Sequence, residues 1–440
     1  MQDGLSRRTF LKLAATAGAA AAIPGCQPAA RHLIPYVVPD ENVIPGVPTF
    51  YATTCNECPA GCGVVARVRE GRVIKLEGNP ADPIGQGALC ARGQAALQGL
   101  YNPDRLRQPM LRQNGALQKV SWDDAEKVFN DHLKDAAAKG NNRVALIGAP
   151  QGPTLQKITT AFLSAFKSNR AIYYEALSEE PARDAAQIVF GRRDLPSYRL
   201  DQAEVLISFG ADFLETWRSP IELSRQYAEF RAPRTRRDGL MIGRAIYAGP
   251  RFNMTAAKCD EWIAVPPKAE AMLALAILHA ILQQGWAAPS SRIDIAALKN
   301  FVSSYDSASV SQRTGVPKDR IDRIAERFGK ADGAVALAGG DDPAAYAATY
   351  ILNAVTGNLG RTMQFSEGEP LEDVSRHDDV TVALDAMRNG QIDVLVIAGS
   401  NPLYSMPPAW KAGESFAKVR LVVWAGQVPD ESADAAHLLL

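Results

Sequence analysis

Cys55, Cys58 and Cys62 fall within eight residues, in TTCNECPAGCG, and Cys90 follows later, giving the spacing C-x2-C-x3-C-x27-C. Thiolates are soft donors, and this pattern offers three chemistries. Disulfides are one, but Cys55 and Cys58 close a loop too short to restrain much of the unfolded chain. Tetrahedral zinc is another; it takes four thiolates, though usually from two paired knuckles. The third is a 4Fe–4S cubane, which needs one thiolate at each iron corner, so that a single loop can wrap three of them. The asymmetry of three near and one far favours the cubane. Pro59 bends the chain after Cys58, and Gly61 and Gly63 let the backbone crowd the sulfurs. Zinc and disulfides stay open as alternatives.

Other chemistry is less marked. The remaining cysteines are Cys26 and Cys259, and Cys259 reads as a lone thiol. The five histidines, His32, His132, His279, His377 and His437, have no partner spacing for zinc or a catalytic triad. Basic and acidic residues balance at 48 each, so nothing points to a nucleic-acid partner.

The N-terminus reads as an address. In LSRRTFLKLAATAGAAAAIPGC, Arg7 and Arg8 precede a mildly apolar run that Pro24-Gly25 ends too early for a membrane span. SRRTFLK resembles a twin-arginine export signal. Ile-Pro-Gly-Cys resembles a lipobox with Cys26 as the acylated residue; cleavage at the preceding alanines competes with it. Residues 1–26 are therefore expected to be a signal peptide. The proline-rich stretch 27–50 is expected to be an extended strap.

Further elements must hold the thiols in place. Val64–Arg69 and Arg72–Glu77 alternate around Glu70-Gly71, which predicts a hairpin. Beyond Trp122, apolar runs ending in Gly or small polar residues alternate with helical stretches: RVALIGAP, RAIYYEAL, AEVLISFGADF, LMIGRAIYAG, GAVALAGGDD, DVLVIAGSNP and VRLVVWAGQ. Such runs predict buried parallel strands whose C-terminal ends present ligands. Helices are predicted over 123–137, 155–168, 181–190, 219–230, 268–284, 319–330 and 343–356. The fold class is α/β: a small N-terminal iron–sulfur β domain over 51–122, a doubly wound parallel-sheet domain over 123–270, a helical connection over 271–325 and a second doubly wound domain over 326–440.

The text around the cysteines is specific. GNPADP, GALCARG, LYNPDRLRQPM and VSWDDA resemble the iron–sulfur region of the molybdopterin-dinucleotide oxidoreductases, the family of formate dehydrogenase, periplasmic nitrate reductase and polysulfide reductase. The resemblance implies a 4Fe–4S cluster on Cys55, Cys58, Cys62 and Cys90. Arg92 would be the basic residue that bridges cluster and pterin. Two α/β domains would hold the halves of a bis(guanylyl-molybdopterin) cofactor, touched by the loops of Asp212 and of Gly399, Ser400 and Asn401. It also implies a β-barrel cap following ESADAAHLLL, where the sequence stops.

Two further features depart from that family. The stretch expected to supply a molybdenum ligand, YYEALSEEPARDAAQIVFG, has no cysteine. Ser178 is the candidate ligand by type, but SEEPARDA also reads as a helix start with Ser178 as N-cap. Pro267-Lys268-Ala269-Glu270 replaces the family's Pro-Gly-Thr-Asp and its close-approach glycine. HLIPYVVPDENVIPGVPTFYATT and YRLDQAEVLISFGADFL resemble the molybdopterin-oxidoreductase-like subunit of alternative complex III and related quinone-linked complexes, a branch that keeps the fold without molybdenum. The resemblance thus implies an iron–sulfur electron-transfer subunit of an exported respiratory complex, on the outer face of the cytoplasmic membrane. Its partners would be a multi-cluster ferredoxin-like protein or domain, a quinone-binding integral membrane subunit and cytochrome c subunits. The alternative is an active molybdopterin-dependent enzyme of polysulfide- or thiosulfate-reductase type.

Overall fold

The computed structural model describes residues 44–236, 239–288, 293–366 and 374–440. The export signal, Cys26 and most of the strap lie outside the described residues. The described residues fall into two units: 44–51 with Arg67–Ile74, and Ala52–Ala66 with the described part of Lys75–Leu440. Among the described residues no helix is long and apolar enough to cross a membrane.

The hairpin forms as its alternation predicts. Strands Thr49–Thr54, Gly63–Arg69 and Arg72–Gly78 make a three-stranded sheet in that order. Glu70 (φ 50°) and Gly71 (φ 75°) are both left-handed, the pairing a two-residue hairpin turn requires. The first strand begins at Thr49, inside the expected strap.

The α/β strands form where the apolar runs predict them, but they sort into sheets differently. A seven-stranded sheet has the order Ala116–Lys119, Met110–Gln113, Leu438–Leu439, Leu421–Ala425, Val394–Ala398, Val144–Gly148, Ala171–Tyr173. Its last five strands are parallel, and Leu438–Leu439 pairs antiparallel with Met110–Gln113. A four-stranded parallel sheet has the order Glu261–Ile263, Arg244–Ala248, Val205–Phe209, Ala334–Ala338.

The expected division at 123–270 and 326–440 is therefore corrected. Val144–Gly148 pairs with Val394–Ala398, while Val205–Phe209 pairs with Ala334–Ala338. Each sheet draws on both expected domains. Residues 110–119, expected in the iron–sulfur domain, belong to the seven-stranded sheet. Within 271–325 the described residues form helices Glu270–Gln283, Ile295–Phe301, Ser307–Thr314 and the start of Lys318–Lys330, but the stretch connects two strands of the same four-stranded sheet.

The periodicities explain the packing. Helix Lys318–Lys330 buries Ile321, Ile324, Ala325 and Phe328, spaced on one face, and leaves its charges outside. Helix Glu270–Gln283 is apolar nearly all round and is buried to match. Both contribute to the core covering the four-stranded sheet.

Asp260, just before strand Glu261–Ile263, ties that sheet's edge. Its carboxylate accepts from Arg231 Nη1 and Nη2 at 2.6 and 2.9 Å and from the Ala245 N–H at 2.8 Å. Burial alone would raise the Asp260 carboxyl, but these donors outweigh it and hold it below the usual carboxylate range. A depressed folded value stabilises fully above the unfolded value of about 4, and the contribution is lost as pH falls through the folded one. Asp260→Asn is expected to cost about 1–2 kcal/mol at neutral pH. The gap between its Tm and that of the parent should close below about pH 4; melting curves across pH check this.

Candidate iron–sulfur centre

Cys55, Cys58 and Cys62 lie on the loop between the first two strands. The Cys55 N–H donates to the Cys62 carbonyl at 2.9 Å, and the Gly61 N–H to that of Cys58 at 3.3 Å. Gly61 is left-handed (φ 60°), which lets the loop curl between the second and third thiols.

Cys90 reaches the centre by a tight route. The Gly78 α-carbon faces the backbone of Gly87 and Ala88, and an added Cβ would lie 2.5 Å from Gly87 C and O and Ala88 O. Gly87 N–H donates to the Asn79 carbonyl at 3.0 Å, closing the loop that delivers Cys90.

Cys90 is the N-cap of helix Ala91–Leu100. Burial would raise its thiol, but the N–H groups of Gly93 and Arg92 and the Arg92 guanidinium outweigh that and bring it below the ordinary cysteine range. Cys62 is buried and shifts the other way: desolvation raises it first, then the negative charges of Cys58, Cys55, Asp82 and Cys90. The negative charge that crowds the Cys62 thiol is what a shared positive centre would relieve.

All five described cysteines are free. Among the described residues no three Cys, His, Asp or Glu side chains gather round one ion. Cys259 stands apart, its thiol pushed up to about 12 by burial and then by Asp260. The donor set of four free thiols, one of them at a helix N-terminus, fits a 4Fe–4S cluster.

The sequence-predicted cofactor residues lie at the C-terminal ends of the two central strands, on different sheets. Asp212 follows Val205–Phe209; it is buried and accepts from the Thr255 hydroxyl at 2.5 Å. Gly399, Ser400 and Asn401 follow Val394–Ala398. Asn401 is committed at both ends of its amide, to Glu431 at 2.5 Å and to Ser432 at 2.8 Å. The Ser400 hydroxyl is buried with no partner among the described residues. For a pterin dinucleotide the two ends therefore differ. The seven-stranded end offers an orphan hydroxyl; the four-stranded end has its aspartate occupied. There Lys268 takes a left-handed backbone (φ 66°), at the position where the resemblance places glycine.

Ser178 does not cap the helix that follows it. Helix Glu180–Phe190 has Glu179 as its N-cap. The Ser178 hydroxyl instead lies 3.4 Å from His377 Nε2. His377 Nδ1 lies 3.4 Å from Glu180 Oε2, which also accepts the His377 backbone N–H at 3.2 Å. Tyr174 and Trp410 flank the imidazole. Sequence spacing gave no signal for this cluster, because its serine and histidine are 199 residues apart.

The sequence pattern of the molybdopterin oxidoreductase Fe4S4 domain matches residues 48–102, and that of molybdopterin oxidoreductase matches residues 105–440. The chain belongs to the molybdopterin oxidoreductase family. Within that family it is 26% identical, over 90% of its length, to the menaquinone reductase molybdopterin-binding-like subunit of Nitratidesulfovibrio vulgaris. It is 29% identical, over 56% of its length, to the arsenate respiratory reductase molybdopterin-containing subunit of Shewanella sp. strain ANA-3. The chain spans 59% of the first relative and 29% of the second. Among solved structures, acetylene hydratase from Pelobacter acetylenicus shares the fold, with a TM-score of 0.70 and 16% identity, covering 88% of this chain and 62% of the other. The family's cluster domain ends near residue 102, in agreement with the strands at 110–119 joining the α/β body.

Proposed function

We propose that this chain is an iron–sulfur electron-transfer subunit of an exported, membrane-associated respiratory oxidoreductase complex, and that it gives molybdenum no side-chain ligand. The observation that carries the reading is the loop after strand Ala171–Tyr173. It has no cysteine, and its serine hydroxyl lies against His377, 3.4 Å from Nε2. Lys268 in place of the close-approach glycine points the same way.

A 4Fe–4S cluster held by Cys55, Cys58, Cys62 and Cys90 supplies one-electron storage and transfer. Cys62 is itself buried from water. Arg92, against Cys90, favours the thiolate form and sets a positive charge where an electron would leave or arrive. The menaquinone reductase relative supports a quinone-linked complex by analogy; the partners in this reading are a ferredoxin-like multi-cluster protein, a quinone-binding membrane subunit and cytochrome c subunits. The twin-arginine segment supports delivery, already folded, to the outer face of the membrane, with Cys26 as the lipid attachment.

One observation favours the alternative, an active reductase of polysulfide or thiosulfate type: the orphan Ser400 hydroxyl at a strand end where the family holds its pterin. Ser178→Ala separates the readings. On the electron-transfer reading, metal content and the electron paramagnetic resonance spectrum of the reduced protein stay unchanged. Loss of a stoichiometric second metal in the variant would favour the enzyme.

A further inference from the structure

A cavity of about 310 Å³ lies beside strand Ala171–Tyr173, at the outer edge of the seven-stranded sheet. Tyr173, Arg193, Ser375, Arg376 and Asp379 are among its lining residues. The segment carrying Ser375 is fixed along the edge: the Ser375 N–H donates to the Tyr173 carbonyl at 2.8 Å, and the Tyr173 N–H donates to Ser375 Oγ at 3.0 Å. Because that oxygen is the acceptor, the Ser375 hydroxyl proton remains free to donate.

The two lining arginines are also donors held loosely. Arg193 has an 11% exposed side chain and sits 3.3 Å from Asp184 and 3.9 Å from Glu180. Arg376 leans on the same Asp184 oxygen at 3.4 Å. Two guanidinium groups sharing one carboxylate oxygen at these distances leave most of their N–H groups unspent. Asp379 is acidic, but one of its oxygens already accepts the Arg376 N–H at 3.3 Å.

Donors outnumber acceptors at this cavity, and two of them are arginines, whose planar fork suits carboxylates and oxyanions. The volume is at the lower end of small-molecule sites. We propose that this cavity binds a small acceptor-rich anion, a carboxylate or a tetrahedral oxyanion, gripped by Arg193 and Arg376. Glu180 links the site to the loop of Ser178, since it approaches both Arg193 and His377. An anion that draws Arg193 away would leave Glu180 to His377 alone.

Titration calorimetry on the full, cluster-containing chain tests this, with inorganic phosphate and benzoate as separate probes at constant ionic strength. At least one probe should bind at one site per chain. Phosphate binding alone marks the site as one for tetrahedral oxyanions, benzoate binding alone as one for planar carboxylates. The affinity should fall about tenfold or more in Arg193→Gln and in Arg376→Gln, the scale of a lost charged hydrogen bond. Arg376 is 47% exposed on its side chain, so its variant keeps the test valid if Arg193→Gln does not fold. Arg199→Gln, a surface arginine paired with Asp201, should leave binding unchanged. Neither probe binding, or binding that survives Arg376→Gln intact, would overturn the proposal.

Discussion

Cys58→Ser is expected to lose most of its iron and the brown colour of the cluster, and Cys90→Ser the same, while Cys259→Ser keeps both. A hydroxyl is a harder and less acidic donor than a thiol, so one iron corner loses its preferred ligand. The two losses have different local causes. Cys58 sits on the curled loop whose turn depends on Gly61, and the Cys58 carbonyl already receives the Gly61 N–H. A serine there keeps the loop and removes only the ligand. Cys90 is helped by the N–H groups of Arg92 and Gly93, so a serine at the same helix start gains an ordinary N-cap and loses the thiolate. Cys90→Ser should therefore melt close to the apo form of the parent protein despite its missing cluster. Cys259 is held neutral by burial and lies outside the loop, which makes it the internal control. Iron analysis with the visible spectrum reads all three. Full cluster signal in Cys58→Ser would remove that residue from the ligand set.

The second large effect is on stability. Arg218→Met is expected to destabilise the fold by about 3 kcal/mol, the scale of breaking a buried ion pair. The Arg218 side chain is 14% exposed and meets Glu179 at 3.2 Å, with Nη1 donating to the Pro196 carbonyl at 2.7 Å. The guanidinium also stacks 4.6 Å from the Trp217 ring. Burial works against its charge, and Glu179 first, then Tyr198, Tyr350 and Tyr346, outweigh that. The methionine keeps much of the stacking volume but leaves the Glu179 carboxylate partly buried without its cation. Adding Glu179→Gln should recover part of the loss, because the orphaned charge is then gone. Denaturant midpoints of the two single variants and the double variant measure this. Glu179 follows Ser178 directly, so the pair also anchors the loop on which the missing ligand is argued.

The sequence was most informative where the signal is local. Three thiols on one loop, the Glu70-Gly71 turn and the apolar stripe of Lys318–Lys330 each follow from neighbours a few residues apart. Seven strands and seven helices formed close to where their patterns placed them. Partnership between strands was not legible. Val144–Gly148 and Val394–Ala398 are each buried apolar runs, and nothing in such a run names its neighbour across some 250 residues. Ser178 illustrates the same limit at the site. Its local text, SEEPARDA, reads as a cap, yet the helix starts one residue later than that cap requires and the hydroxyl lies beside a distant histidine. The arginine pair of the edge cavity, Arg193 and Arg376, was hidden for the same reason: the fold joins segments that the sequence keeps apart.

Metal analysis of the as-isolated, full-length protein, with extraction of any guanylyl-pterin, tests the central claim most directly. About four irons per chain, as one cubane requires, with molybdenum and tungsten at background is the result the electron-transfer reading predicts. Stoichiometric molybdenum or tungsten with bound guanylyl-pterin would contradict it.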